Sequence, residues 1–165
     1  MHTATIDTPD GKFTVITSDD TLLASGWTAD VDSLVALIHP TLRPEPGPAP
    51  SSSAVLNDAL RAVEAYYGGD HDAPAAIPVH QTSGDYRMHA WKILRDVAAG
   101  ERLTYTGYAQ RTGRPKAVRA AAGACAFNAA ALFVPCHRIL RTDGTLGGFR
   151  YGLDIKQALL TRERS

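Results

Sequence analysis

The chain has 165 residues, 44% of them hydrophobic and 21% charged, a composition typical of a globular protein with one ordinary domain or two small ones. No apolar run approaches the length of a membrane span, and residues 1–7 lack the basic-then-apolar order of a secretory signal, so we expect a cytoplasmic protein without a membrane partner. The two cysteines, Cys125 and Cys136, and the scattered histidines show no metal-ligand spacing, and no metal is expected. Spacing alone leaves a disulfide open, although a reducing compartment argues against one.

The zero net charge hides a division between the two halves of the chain. Residues 1–80 carry three basic and eleven acidic side chains, whereas residues 81–165 carry fourteen basic and six acidic ones. A half with a formal charge of +8 indicates a polyanionic partner, and nucleic acid is the first candidate. A charged but functionally silent surface would have the same composition.

The first half predicts a small antiparallel sheet with helices. Three short β-prone segments, 3–7, 13–18 and 22–27, are separated by turn residues, and a further short strand is expected at 77–79. Asp32 is a plausible N-cap for a helix through Ile38. A second helix is predicted over 54–67, where apolar residues recur at helical spacing before Gly68. The Pro- and Ser-rich stretch 39–53 predicts a solvated loop.

The second half is predicted to be mostly α-helical. Helices are expected over 86–98, over 105–112 with Thr104 as N-cap, and over 116–127. Asp154 and Gln157 have the spacing of a capping box for a last helix running to Arg164. We therefore predict an α/β domain over 1–80 and a mostly α-helical domain over 81–165.

Residues 105–127 have the outline of a helix-turn-helix, because two helices are joined by the tight turn 113–115. The second helix consists mainly of Ala around Arg119 and has no Asn, Gln or Glu to read base edges. Small side chains permit a close approach to DNA but carry no sequence code. An Ala-rich core helix would look the same, since Ala is the best helix former.

The stretch 134–139, Val-Pro-Cys-His-Arg-Ile, places a thiol, an imidazole and a guanidinium on consecutive residues. A thiol is a strong nucleophile only as thiolate, and His137 or Arg138 could lower the pKa of Cys136. The alternative is a small buried cysteine in an apolar turn. The neighbouring His and Arg favour an active-site loop.

Together these features resemble the O6-alkylguanine-DNA alkyltransferases, and the likeness covers the whole second half of the chain. The Pro-Cys-His-Arg core at 135–138 matches the signature of that family, whereas the first half resembles it only loosely and is expected to give structural support. The resemblance implies direct-reversal DNA repair, in which an alkyl group, mainly methyl, passes irreversibly from O6-alkylguanine to Cys136. It further implies a single-turnover monomer that needs no cofactor and no obligate protein partner, and that binds double-stranded DNA through the minor groove and flips the base.

The resemblance also assigns residue roles. Cys136 would be the acceptor, His137 the base that deprotonates it through a water, Glu163 the carboxylate that orients His137, and Asn128 a hinge. Arg119 would fill the gap left by the flipped base. The expected substrate and DNA contacts are Tyr105, Lys116, Arg119, Ala120, Gly123, Arg138, Phe149, Arg150 and Tyr151.

Some positions depart from the family pattern. Ala129 and Ala131 stand where many members have proline, which predicts a looser loop before Cys136. Phe149 replaces the lid tyrosine, and Arg150 and Tyr151 stand where human-like members have small residues. These departures bear on substrate range more than on reaction type.

Two other functions remain open from the residues alone. A Cys-His hydrolase or acyltransferase would use the same pair of side chains, and it would turn over. A module that binds DNA lesions without repairing them resembles the pattern with the Cys replaced. The presence of Cys136 favours repair.

Overall fold

The computed structural model describes residues 1–43 and 53–164. The chain forms two compact units. The first contains Met1–Thr82 and Ala129–Phe133, and the second contains Ser83–Asn128 and Val134–Ser165. The loop predicted at 39–53 lies mostly outside the described residues, and its described part holds one 3-10 turn, Pro40–Leu42. In the described residues no helix is both long and apolar enough to cross a membrane.

The first unit is built on a three-stranded antiparallel meander, as the turn signals predicted. Its strands are β1 (His2–Thr8), β2 (Gly11–Thr17) and β3 (Leu22–Gly26), in the order β1-β2-β3. Phe13, Val15 and Ile16 of β2 are fully buried, so the middle strand supplies much of the core of this unit. The strand expected at 77–79 is reduced to a single bridge between Leu22 and Val79.

Two α-helices accompany this sheet. Helix α2 spans Ala54–Tyr67, the predicted bounds, because Ser53 accepts a hydrogen bond from Leu56 N (3.1 Å) at one end and Gly68 ends it at the other. Helix α1 is shorter than expected, Val31–Val35, and the prediction that Asp32 caps it is wrong. Asp30 has the extended backbone that an N-cap requires and accepts from Ser33 N (3.3 Å), which places Asp32 in the first turn.

The alanine-rich segment 129–133, predicted to be looser than in proline-containing members, is held by several hydrogen bonds. The Ala129 and Ala131 carbonyls accept hydrogen bonds from Ser25 N (2.9 Å) and Ser25 Oγ (2.7 Å). Ala129 N donates to Gln81 Oε1 (2.9 Å), a bond that a proline at this position could not make because it has no N–H.

The second unit contains four α-helices and a two-stranded parallel sheet among its described residues. The helices are α3 (Asp85–Arg95), α4 (Tyr105–Arg111), α5 (Val118–Ala126) and α6 (Leu153–Arg162), and β4 (Leu103–Thr104) pairs with β5 (Ile139–Leu140). The predicted N-cap of α4 is confirmed, since Thr104 Oγ1 accepts from Gly107 N (3.0 Å). Helices α3, α4 and α5 are shorter than predicted, most of all α5, which begins at Val118 and ends at Ala126. Helix α3 ends before Asp96 and leads to Gly100 at φ +84°.

The capping box predicted for α6 is wrong. The N-cap is Gly152, whose φ of 104° favours glycine, so the helix begins one residue before Asp154. Gln157 donates instead to Thr161 Oγ1 (3.1 Å), and the helix ends at Arg162.

Candidate active site and DNA-binding helices

Cys136 begins a 3-10 turn, Cys136–Arg138, in the second unit. Cys136 as a residue is partly exposed. The buried Asn128 donates from Nδ2 to the carbonyl of Val134 (2.8 Å), two residues before Cys136. Asn128 also forms a hydrogen bond with the thiol. Both cysteines are free, so Cys136 is available as a nucleophile.

The surroundings of Cys136 favour the protonated thiol. Burial raises its pKa, and the Asn128 hydrogen bond and the charges of Lys156 and Arg150 only partly oppose that effect. His137 and Arg138, expected to lower this pKa, are not among the groups that act on it most strongly. At neutral pH the thiol therefore needs a base to become a thiolate.

His137 is placed to act as that base. Its ring is fully buried, and Nε2 lies 2.7 Å from Glu163 Oε1. Burial lowers the pKa of His137, so the imidazole is neutral near pH 7. An ionised carboxylate can only accept, so Nε2 carries the proton and Nδ1 is a free acceptor. Among buried side-chain nitrogens and oxygens of residues 1–43 and 53–164, Nδ1 alone has no hydrogen-bond partner.

Arg138 holds Glu163 in place. Its Nε and Nη2 donate to the two oxygens of Glu163 (3.1 and 3.0 Å), and Nη1 donates to Val97 O (2.7 Å). Burial by itself raises the pKa of Glu163, but the hydrogen bonds from His137 and Arg138 outweigh it and hold that pKa well below its usual range. Arg138 is only 7% exposed, so the expectation that it contacts DNA is corrected to one of supporting the His137–Glu163 pair.

Lys156 is a buried ammonium that the sequence reasoning missed. Its Nζ donates to Ile139 O (2.8 Å), Leu146 O (2.6 Å) and Gly148 O (3.3 Å). It thereby ties α6 to β5 and to the loop that follows β5, and its charge favours the Cys136 thiolate. Helical spacing could have predicted this burial, because Lys156 shares one face of α6 with the buried Leu159, Leu160 and Glu163.

The loop after β5 carries the residues expected to close over a flipped base. The rings of Phe149 and Tyr151 are in edge contact, with centroids 5.7 Å apart. Burial raises the pKa of Tyr151 to about 12, and the charge of Arg150 only partly opposes that effect. A Cβ at Gly147, whose φ is 74°, would lie 3.5 Å from the Tyr105 ring.

Several of the side chains expected to contact DNA lie on α5 or at its ends. Lys116, Arg119 and Ala120 are exposed near its start, and the exposed Arg150 donates from Nη2 to Ala126 O near its end. The space beside Gly123 is already occupied, because Arg87 Nη2 lies 3.3 Å from where a Cβ would stand. The structure thus places a guanidinium next to the glycine.

Known proteins of one family resemble this chain in sequence and in fold. The family described as "6-O-methylguanine DNA methyltransferase, DNA binding domain" matches residues 85–165. The human methylated-DNA--protein-cysteine methyltransferase is 31% identical, over 99% of this chain and 80% of that protein. The crystal structure of Mycobacterium tuberculosis OGT in complex with DNA has a TM-score of 0.77 and 28% identity, and the match covers 99% of this chain and 93% of that chain.

The fold is thus that of the O6-methylguanine methyltransferases, and residues 85–165 match the DNA-binding domain of that class. The chain belongs to the methylated-DNA--protein-cysteine methyltransferase family. It is also 44% identical to the Escherichia coli bifunctional transcriptional activator/DNA repair enzyme Ada, over 56% of this chain, and it spans about a quarter of that longer protein (26%).

Proposed function

We propose that this protein repairs O6-alkylguanine in double-stranded DNA by transferring the alkyl group, mainly methyl, to Cys136. The observation that carries the proposal is the neutral, buried His137, the residue after Cys136, whose Nε2 is fixed by Glu163 (2.7 Å) and whose Nδ1 has no hydrogen-bond partner. A thiol with a raised pKa and an adjacent base are the two parts that such a transfer needs.

The reaction balances without a cofactor. His137 accepts the Cys136 proton at Nδ1 through a water, and Glu163 stabilises the imidazolium that forms. The thiolate attacks the alkyl carbon, the bond from that carbon to O6 breaks, and its electron pair remains with the guanine. The guanine takes up one proton, which balances the proton that Cys136 gave to His137. The thioether on Cys136 is not cleaved again, so each molecule reacts once.

The target oxygen lies inside the stacked duplex, so the nucleotide must be extruded before it can react. We assign α4 and α5 as a helix-turn-helix that places α5 in the minor groove, with Arg119 filling the gap that the base leaves. Exposed Lys116 and Arg119 supply the charge that a phosphate backbone attracts, and Ala120 allows a close approach. Tyr105, Phe149 and Tyr151 would line the pocket for the flipped base.

The boundary between an N-terminal support domain, 1–80, and a DNA-binding acceptor domain, 81–165, is part of this proposal. Support comes from the placement of every proposed site residue in the second unit, whereas the first unit includes the segment 129–133. The first unit would then stabilise the fold and take no part in the chemistry.

The test is to incubate the protein with duplex DNA containing one O6-methylguanine, and then to weigh and map it by mass spectrometry. We expect one added methyl group on Cys136 of the wild type, none on the Cys136→Ser variant, and a normal adduct on the matched Cys125→Ser control. Loss of the alkyl group from DNA without an adduct would indicate a hydrolase. Tight binding with neither loss nor adduct would indicate a lesion-binding module.

A further inference from the structure

Phe127, at the end of α5, is an exposed aromatic side chain that the proposed reaction does not use. It is 58% exposed, the largest exposed fraction among the large hydrophobic residues that the structure describes. A single exposed apolar residue is ordinary on a protein surface and carries no inference by itself. Its neighbours and its position on α5 distinguish it.

The ring is held by a cation. The guanidinium carbon of Arg87, on α3, lies 4.4 Å from the centroid of the Phe127 ring, a cation–π contact that covers one face. Arg87 also packs against Gly123, where an added Cβ would lie 3.3 Å from its Nη2 and would shift the guanidinium by a few tenths of an ångström. With one face covered and more than half of the residue exposed, the opposite face or the ring edge is open.

Phe127 also shares a helix face with the expected DNA contacts. Ala120, Gly123 and Phe127 recur at the i, i+3, i+7 spacing that forms one stripe. At 1.5 Å per residue the ring lies about 12 Å along the helix axis from Arg119. A second cation, Arg150, is bonded to Ala126 O at the same end of the helix. The open ring therefore lies at the far end of a stripe of small residues, at a helix end that also binds a second guanidinium group.

We propose that Phe127 and Arg87 form a second contact with duplex DNA, in which the ring packs against sugars or a base step of the minor groove and Arg87 binds a flanking phosphate. Apolar side chains that enter the minor groove commonly act as such wedges. Charge complementarity selects DNA as the occupant, because the cations around the ring suit a polyanion and repel a second copy of the same basic surface. This inference rests on the proposed function for its partner.

The experiment measures affinity for undamaged duplex DNA by fluorescence anisotropy over a range of salt concentrations. Phe127→Ala should weaken binding about tenfold, the loss typical of a removed aromatic contact with a base. Phe127→Trp should preserve affinity. Arg87→Met should weaken binding and reduce the slope of log affinity against log salt by about one, the signature of one lost phosphate contact. The control is Met88→Ala, next to Arg87 and itself 41% exposed, which should bind as the wild type does.

Thermal melting of each variant establishes that it is folded, and methyl transfer from O6-methylguanine DNA is measured separately. Wild-type affinity in a folded Phe127→Ala variant, or an unchanged salt slope in Arg87→Met, overturns the proposal. Self-association of the wild type that Phe127→Ala abolishes, with DNA affinity unchanged, overturns it in favour of a second copy of the chain. If no methyl transfer occurs but Phe127→Ala still weakens duplex binding, this contact stands and the repair function fails.

Discussion

In the proposed reaction Cys136 gains its reactivity from a base and gains little from its local charge. Burial raises the pKa of the thiol, while burial also keeps His137 neutral and able to accept a proton. Glu163 is held ionised by Arg138, so it fixes the imidazole tautomer and can stabilise the imidazolium. The buried Arg138 would thus act on Cys136 through Glu163 and His137.

At this scale the first prediction concerns the base. His137→Gln should slow methyl transfer by about 10²-fold or more, the usual contribution of a positioned general base. The variant rate should rise continuously with pH towards the raised pKa of the thiol, because ionisation would then depend on solvent alone. Single-turnover rates from pH 6 to 10 check this. A variant as fast as the wild type at pH 7 would show that another group removes the proton.

The second prediction compares a buried carboxylate with an exposed one. Glu163→Gln leaves the buried Arg138 without its anionic partner and should cost about 3–5 kcal/mol of unfolding free energy. Glu101→Gln breaks the Glu101–Arg111 pair at the surface (2.8 Å) and should cost at most about 1 kcal/mol. Urea denaturation of both variants measures the difference. Similar losses would mean that the Glu163 network does not hold the fold.

Among the structural elements, α6 holds both the loop after β5 and the His137 side chain. Its Lys156 binds carbonyls at 139, 146 and 148, while Glu163, at the C-cap of the helix, binds His137. The loop after β5 is therefore fixed by the helix that also orients the base. In the proposed reaction this loop would set the space available to an alkyl group.

The third prediction concerns that space. Tyr151 brings a half-buried ring against Phe149 in a loop where overpacking costs about 1–3 kcal/mol. We expect efficient reaction with O6-methylguanine and poor reaction with O6-benzylguanine, and Tyr151→Gly should restore the benzyl reaction at some cost in loop order. Second-order rate constants for both substrates provide the measurement. A wild type that reacts readily with the benzyl substrate, or a glycine variant that gains nothing, would place the ring outside the pocket.

For the whole molecule, two buried groups make stability depend on pH with the same sign. The pKa of His137 is lowered from 6.5 in the folded state. Below pH 6.5 the imidazole is therefore protonated more fully in the unfolded chain than in the native chain. The pKa of Glu163 is lowered from 4.5, so below pH 4.5 the unfolded chain again binds more protons. Stability contributed by each group is present above these values and is lost as the pH falls.

The fourth prediction is therefore a loss of unfolding free energy on acidification, beginning near pH 6.5. The slope from His137 can reach about 1.4 kcal/mol per pH unit, the limit for one proton. His137→Gln should remove the part of the slope between pH 6.5 and 4.5 and leave the part below it. Urea denaturation at several pH values measures both. A wild-type stability that stays flat down to pH 5 would contradict the buried, neutral imidazole.

The sequence predicted the features that depend on local patterns. The meander and α2 follow from turn residues and helical spacing, and the family follows from the Pro-Cys-His-Arg core. The caps at Asp30 and Gly152 depend on backbone angles that the sequence does not show. Arg138 looked like a DNA contact in a basic half because its partner, Glu163, lies 25 residues away. The burial of Lys156 is likewise set by tertiary packing.

Counting turnovers shows directly whether Cys136 is a stoichiometric acceptor. A known amount of protein is mixed with excess duplex DNA that carries O6-methylguanine, and the guanine restored is measured until the reaction stops. We expect one guanine restored per protein chain, a matching methyl group on Cys136, and no further reaction after fresh DNA is added. Continued turnover beyond one guanine per chain, with Cys136 unmodified, would contradict it.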